Sequence, residues 1–333
     1  MTAATTTRLP HETVWDLATA GAAASSLHLV AELGVADHLG NGAVTVDQLA
    51  ADCGVSASAL DRVLRLLAAH GIFEHGPDGY RHTEASRLLG SDHPRSMRAF
   101  ARMFGLPLIW SGLTGLDHSV RTLAPAVELV EPKGFWAYLQ AHPEEARIFD
   151  QAMTAKARAD IGAVVGAYDF RPFPTIADIG GGRGHLLRAV LDAAPGGRGV
   201  LFDLPGVIES LPATEERLHL HAGDFFVDPL PRADLYVLME VIHDWADGDA
   251  TAILRAIRSA AAPGAVVLIV EGVVPDDGSD IRACTLDVVM LAITGGRERT
   301  SRELGALLHA ADFRLSTVVD TSGPLRIVEA IAI

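Results

Sequence analysis

The chain has 333 residues, enough to bury a sizeable core and to hold about two domains. Its apolar fraction of 49% and charged fraction of 21% are those of an ordinary globular protein, and a formal net charge of −15 disfavours nucleic acid or an anionic membrane surface as a partner. Cys53 and Cys284 lie in unrelated segments and form no metal-spaced pair, so neither a disulfide framework nor a zinc site is suggested and a reducing cytoplasm fits.

The opening MTAATTTRLPHE has no basic stretch ahead of an apolar core, and the longest apolar run, 265–270, is far too short for a bilayer, so neither targeting nor membrane insertion is expected. Only Lys133 and Lys156 are lysines, against many arginines; with the alanine richness, this is the bias of a high-GC bacterial coding sequence.

Residues 13–39 carry helical stripes of Val14, Leu17, Ala18, Leu27, Val30 and Leu33, with breaks expected around Gly21 and at Gly34. So little polar surface suggests packing against a partner subunit, or else a helix pair buried within one chain. Residues 44–83 read as a winged helix. TVDQLAADCGV forms a helix with Leu49 inward, Ser56 caps the next, and Leu60, Val63, Leu64 and Leu67 make its buried face. IFEHGPDGYRHT then forms a two-stranded wing turning at Pro77-Asp78-Gly79. Such a module can enter a major groove, which makes a transcriptional regulator the second function class. Asp61, Glu74 and Asp78 leave it short of the positive charge that phosphate contact needs, and a scaffold for dimer contacts fits better.

Residues 91–168 are helical and rich in large apolar groups, among them Phe100, Met103, Phe135, Trp136, Phe149 and Met153, and are divided by Pro107, Pro125, Pro132 and Pro143. Aromatics and methionines at helical spacing form a core, or else line an aromatic pocket.

Past Tyr168 strands and helices alternate, as in an α/β doubly wound sheet. Strands are expected at 175–179, 199–203, 234–240, 265–271, 313–319 and 324–331, the last two antiparallel. The first ends in Gly180-Gly181-Gly182-Arg183-Gly184, followed by Leu186, Leu187, Val190 and Leu191 at helical spacing. Glycines there let backbone approach a ligand, and the helix start offers N–H groups to an anionic one. Asp203, at the end of the next strand, is placed to accept from ribose hydroxyls. Three alternatives compete for this unit: a dinucleotide site, a nucleoside-sulfonium site, and a turn that binds nothing. The dinucleotide fingerprint would put glycine or alanine at His185, whereas Asp178 before Gly180 gives D-x-G-x-G-x-G. That pattern resembles motif I of class I methyltransferases, which bind S-adenosylmethionine.

Ligands of such sheets lie beyond the carboxyl ends of the strands. Asp224 stands in such a loop, able to accept from an adenine amino group while Phe225 covers a ring face; Asp224 also reads as a plain turn residue. His243 follows the 234–240 strand, where a general base belongs, and Glu271 ends the next strand. Glu298, in GGRERT, either favours the following helix's positive end or joins His243. A phenol of pKa about 10 lies about three units from ionisation at neutral pH, roughly 4 kcal/mol. An imidazole relieves part of that, and a carboxylate on its other nitrogen fixes the tautomer and strengthens the base.

Taken together, DIGGGRGHLL, FDLP, GDFF, HDW, VEGVVP and DVVMLAITGGRERT behind a winged helix resemble the O-methyltransferase family of plant caffeate and flavonoid enzymes and bacterial natural-product enzymes. The resemblance spans essentially the whole chain. It implies a class I methyltransferase Rossmann-like sheet with an N-terminal helical, winged-helix dimerisation domain. The corresponding divisions are 1–98 for the dimerisation domain, 99–165 for a helical pocket segment and 166–333 for the catalytic domain. It implies S-adenosylmethionine held by Asp178, Gly180, Gly182, Gly184, Asp203, Leu204, Asp224 and Phe225, with S-adenosylhomocysteine as product. His243 would deprotonate an acceptor hydroxyl, flanked by Glu271 and Glu298, while Phe149, Met153, Asp244 and Met290 contact an aromatic acceptor, such as a polyketide of antibiotic biosynthesis. An intertwined homodimer and a metal-independent reaction are also implied. Many members carry lysine where this chain has Met239, next to Glu240. Some relatives that have lost the histidine hydroxylate instead; His243 is retained here.

Overall fold

The computed structural model describes residues 9–212 and 216–333; the expectation that no targeting leader is present rests partly on residues 1–8, which lie outside them. The chain divides into two compact units, one running to Leu106 and the other from Pro107 to Ile333.

In the first unit one helix runs unbroken over Pro10–Leu33. The break expected at Gly21 is absent: a single glycine costs a helix about 1 kcal/mol relative to alanine, and the neighbouring Ala22, Ala23 and Ala24 are the best helix formers. Gly34, in the left-handed conformation, does end it. Val14, Trp15 and Leu17 are exposed, Trp15 by 70% and Leu17 by 75%. Thr45 caps the helix Val46–Cys53 by accepting from the Gln48 N–H. Ser56 precedes the helix Ala57–Ala69 at the capping position, but its side chain makes no capping hydrogen bond. Leu49, Leu60, Leu64 and Leu67 are buried with Phe73 and Tyr80. The wing is β1 (Phe73–Gly76) paired antiparallel with β2 (Gly79–His82). Gly79 has φ +117°, and a Cβ there would run into the Val44 carbonyl, so the turn requires glycine.

In the second unit Pro107 and Pro143 each open a helix, Pro107–Thr114 and Pro143–Ala167. Seven strands follow: β3 (Thr175–Ile179), β4 (Arg198–Asp203), β5 (Leu218–Ala222), β6 (Leu235–Met239), β7 (Val266–Glu271), β8 (Phe313–Asp320) and β9 (Arg326–Ala332). Their order is β5-β4-β3-β6-β7-β9-β8, parallel except that β9 runs antiparallel to both β7 and β8. All six expected strands form within a residue or two of their expected ends. β5 was missing from the expected set, since in LHLHA only Leu218 and Leu220 mark an apolar face and His219 and His221 alternate with them at the sheet edge.

The sheet is covered on both faces, as its strand alternation requires. On one side Ala177, Ile179, Tyr236, Leu238, Val267 and Ile269 meet Ile253, Leu254 and Ile257 of the helix Asp247–Ala260 and Leu304 and Leu308 of the helix Ser301–Ala310. On the other, Ile176, Leu201, Val237, Leu268 and Val270 meet Leu187, Val190 and Leu191 of the helix His185–Ala193, with Ile161 and Val164. Each valine, leucine and isoleucine among them contributes about 1.5–3 kcal/mol on burial. The chain leaves β3 for β4 and β5 on one side and returns to β6 and β7 on the other. This reversal opens a crevice beyond the carboxyl ends of β3 and β6.

Candidate active site

β3 ends at Ile179, and Gly180, Gly182 and Gly184 all take positive φ, folding the loop back over the strand end. A Cβ at Gly181 would strike the Asp178 carboxyl, whereas nothing lies within 4 Å of one at Gly182, leaving room over the loop. Asp203 receives the Gly182 N–H on Oδ2 and the Leu204 N–H on Oδ1, each at 2.7 Å. Burial raises the Asp203 carboxyl, and those two N–H groups oppose the shift. Asp178 is buried, its Oδ2 accepts no hydrogen bond among the described residues, and burial, then the Asp203 charge, pushes its carboxyl up to about 7. An acidic pair with open acceptor capacity beside a glycine cradle fits the hydroxyl-rich, cationic S-adenosylmethionine.

After β5, Asp224 Oδ1 accepts from the Phe226 N–H at 2.9 Å, so the turn role is present. Phe225 meets the Trp245 ring edge-on at 5.7 Å.

His243 lies in a short 3₁₀ turn over Ile242–Asp244. Its backbone N–H donates to Glu271 Oε1 at 3.0 Å, its Nδ1 lies 2.6 Å from Glu298 Oε1, and its Nε2 lies 3.7 Å from Asp244 Oδ1. His243, Glu271 and Glu298 are all buried. Glu298 therefore serves the histidine and does not simply sit at a helix start. What brings it there is close chain contact: the Arg297 N–H donates to the His243 carbonyl at 2.8 Å, and a Cβ on Gly296 would collide with the backbone of His243 and Asp244.

Within GGRERT, Arg299 carries a role that the sequence does not announce. Fully buried, it donates to the Ile242 and Trp245 carbonyls at 3.1 and 2.7 Å and to Asp247 at 2.8 Å, tying the turn from both ends. In sequence, Arg299 is one of three arginines within six residues, set apart only by lying between Glu298 and Thr300.

Burial alone would lower the imidazole pKa, but the Asp244 charge, the Glu298 hydrogen bond and the Glu271 charge outweigh it and push His243 up to about 10. Burial raises Asp244 to about 6 and Glu271 to about 7, both eased by His243. The turn thus binds a proton tightly and shares it among coupled groups.

Phe149 packs edge-on against Phe135 and Trp136, at 5.4 and 5.8 Å, and Trp136 stacks on Trp245 at 6.4 Å. These rings join Phe149 to the residue two past His243, an aromatic wall that sequence reasoning did not assemble. Met153 stands one helical turn beyond Phe149 on the helix Pro143–Ala167. Met290 lies near the end of the helix Ile281–Ile293, and its carbonyl accepts from the Gly295 N–H just before the segment that docks on His243. At the lysine-to-methionine departure, Met239 ends β6, and the following Glu240 pairs with Lys156.

Residues 117–314 match the O-methyltransferase domain family, and residues 15–92 match the O-methyltransferase dimerisation domain. The phenazine O-methyltransferase PhzM of Lysobacter antibioticus is 38% identical over 92% of this chain and 91% of its own. The mitomycin biosynthesis 6-O-methyltransferase of Streptomyces lavendulae is 34% identical over 96% of this chain and 93% of its own. Among solved structures, NcsB1, an O-methyltransferase from neocarzinostatin biosynthesis in complex with S-adenosylmethionine and 2-hydroxy-5-methyl naphthoic acid, superposes with a TM-score of 0.82 at 33% identity, over 98% of this chain and 100% of that one. With the O-methyltransferase domain match covering more than half of the chain and these relatives aligned along nearly all of it, the chain belongs to the O-methyltransferase family.

Proposed function

We propose that the chain methylates a phenolic hydroxyl of an aromatic natural product, with S-adenosylmethionine as donor and His243 as the group that takes the hydroxyl proton. The observation that carries this reading is the 2.6 Å contact from Glu298 to His243 Nδ1, which leaves Nε2 as the nitrogen for the acceptor. S-adenosylmethionine supplies a methyl group already activated by its sulfonium charge. Asp203 and Leu204 are read as holding the ribose, Asp224 and Phe225 the adenine, and Asp178 and the loop Gly180, Gly182 and Gly184 the remainder. Glu271 fixes the His243 backbone and Glu298 its ring, so orientation for in-line attack is set before the acceptor enters. Phe149, Met153, Met290 and Asp244 are read as acceptor contacts, and the wall through Trp136 and Trp245 suits a flat fused-ring compound.

The acceptor class draws on relatives named for phenazine and mitomycin and on the naphthoic acid bound by the solved neighbour. We read the first unit as a homodimer contact in a cytoplasmic enzyme. The exposed Trp15 and Leu17 support this, and so does the pairing of Arg65 with Asp61 and of Arg81 with Asp78, which leaves little positive charge for a nucleic acid.

The test is methyl transfer to hydroxynaphthoates and hydroxyphenazines, followed by mass spectrometry. His243→Ala is expected to keep S-adenosylhomocysteine affinity while losing roughly a hundredfold or more in turnover. Undiminished turnover would remove His243 from the proton-accepting role.

A further inference from the structure

Phe149, Met153, Lys156 and Asp160 follow one another at spacings of four, three and four along the helix Pro143–Ala167, and so share a face. The first two are acceptor contacts in the proposed function; the latter two have had no assigned role. Lys156 forms an ion pair with Glu240, 84 residues away, with the two side chains only 11% and 14% exposed. Asp160, one turn on, is 4% exposed, and its Oδ2 accepts no hydrogen bond among the described residues. Its acidity is weakened first by burial, then by the Glu240 charge, against the opposing charges of Lys156 and Arg282.

Glu240 and the Lys156 paired with it stand at the flank of the glycine loop away from Asp203, while Asp160 Oδ1 lies against the turn between β8 and β9, 3.5 Å from where a Cβ on Gly323 would stand. Glu240 directly follows β6, and the next residue, Val241, packs so closely on Gly180 that a Cβ there would come within 3.0 Å of it. Glu240 itself has φ +55°, a conformation that a non-glycine residue adopts against steric resistance and that is over-represented at ligand sites. A Lys–Glu pair alone would be a structural staple. The buried, unpartnered carboxylate oxygen beside it is different, since leaving it unsatisfied is unfavourable unless a donor arrives. An ammonium has three donors, so Lys156 can hold Glu240 and a second carboxylate together. The chain otherwise prefers arginine, whose planar fork suits a single bidentate partner.

We propose that, while Asp178 and the glycine loop hold the sulfonium portion of the methionine moiety, Lys156 and Asp160 together receive its α-amino-acid end, Lys156 taking the carboxylate and Asp160 the ammonium. The zwitterion satisfies both groups without adding net charge, and the nucleoside falls toward Asp203 on the other flank of the loop. The assignment rests on the reading of this crevice as the S-adenosylmethionine site.

The test is calorimetric titration with S-adenosylhomocysteine and, separately, with methylthioadenosine, which carries the same nucleoside without the amino-acid end. Asp160→Asn and Lys156→Met are each expected to weaken S-adenosylhomocysteine by about tenfold or more while leaving methylthioadenosine within about twofold, and Lys156→Arg to restore part of the loss. Equal weakening of both ligands would show a structural staple and overturn the assignment. Unchanged S-adenosylhomocysteine affinity in both variants would also overturn it and pass the pair to the acceptor. A wild type that binds neither nucleoside would remove the cofactor reading itself, and this assignment with it.

Discussion

Three carboxylates, Asp244, Glu271 and Glu298, face the one imidazole of His243, and their combined pull has a definite sign. With its pKa raised to about 10, His243 is protonated in the ligand-free enzyme at neutral pH, so the form that can accept a proton grows as pH rises. The kcat/KM of methyl transfer is therefore expected to climb with pH toward about 10, and Glu298→Gln, which removes the charge at Nδ1, should move that ascending limb to lower pH while lowering its plateau. A pH profile identical in the variant would mean that Glu298 does not set the histidine's proton affinity. The same shift governs stability. The bound proton contributes fully below the ordinary value of about 6.5 and is lost as pH rises through the folded value, so the site tightens the fold on the acid side of that window.

At the scale of elements, the surroundings of His243 are made by two segments far apart in sequence, the 3₁₀ turn after β6 and the 295–299 segment clasped onto it. Gly296→Ala puts a methyl group against the His243 carbonyl, so one segment must move. Turnover is expected to fall by roughly a hundredfold, since a displacement of about 1 Å at reacting groups has that effect, with S-adenosylhomocysteine affinity nearly unchanged. Equal loss of both would mean that the clasp supports the whole crevice. Much of this arrangement was legible beforehand. His243 and Glu271 stand where apolar runs turn polar at strand ends, and the glycine loop interrupts one such run. The clasp itself was not legible, because the roles of Arg299 and Lys156 come from partners 52 and 84 residues away, which no local period reveals. Nor was the unbroken helix Pro10–Leu33, where an alanine run outweighs Gly21, or β5, whose alternate histidines hide a strand at the sheet edge.

For the molecule as a whole, the exposed Val14, Trp15 and Leu17 are the surface that the proposed dimer would cover. Trp15→Glu combined with Leu17→Glu is expected to halve the mass measured by sedimentation while leaving helical content intact; an unchanged mass would place the subunit contact elsewhere. Of the chain's four tryptophans, Trp136 and Trp245 face each other within the aromatic wall. Trp245 also touches Phe225, the residue assigned to the adenine. The crevice therefore carries its own optical reporter. Intrinsic fluorescence is expected to change on titration with S-adenosylhomocysteine, and most of that change should vanish in Trp245→Phe, so that occupancy can be followed before any acceptor has been identified.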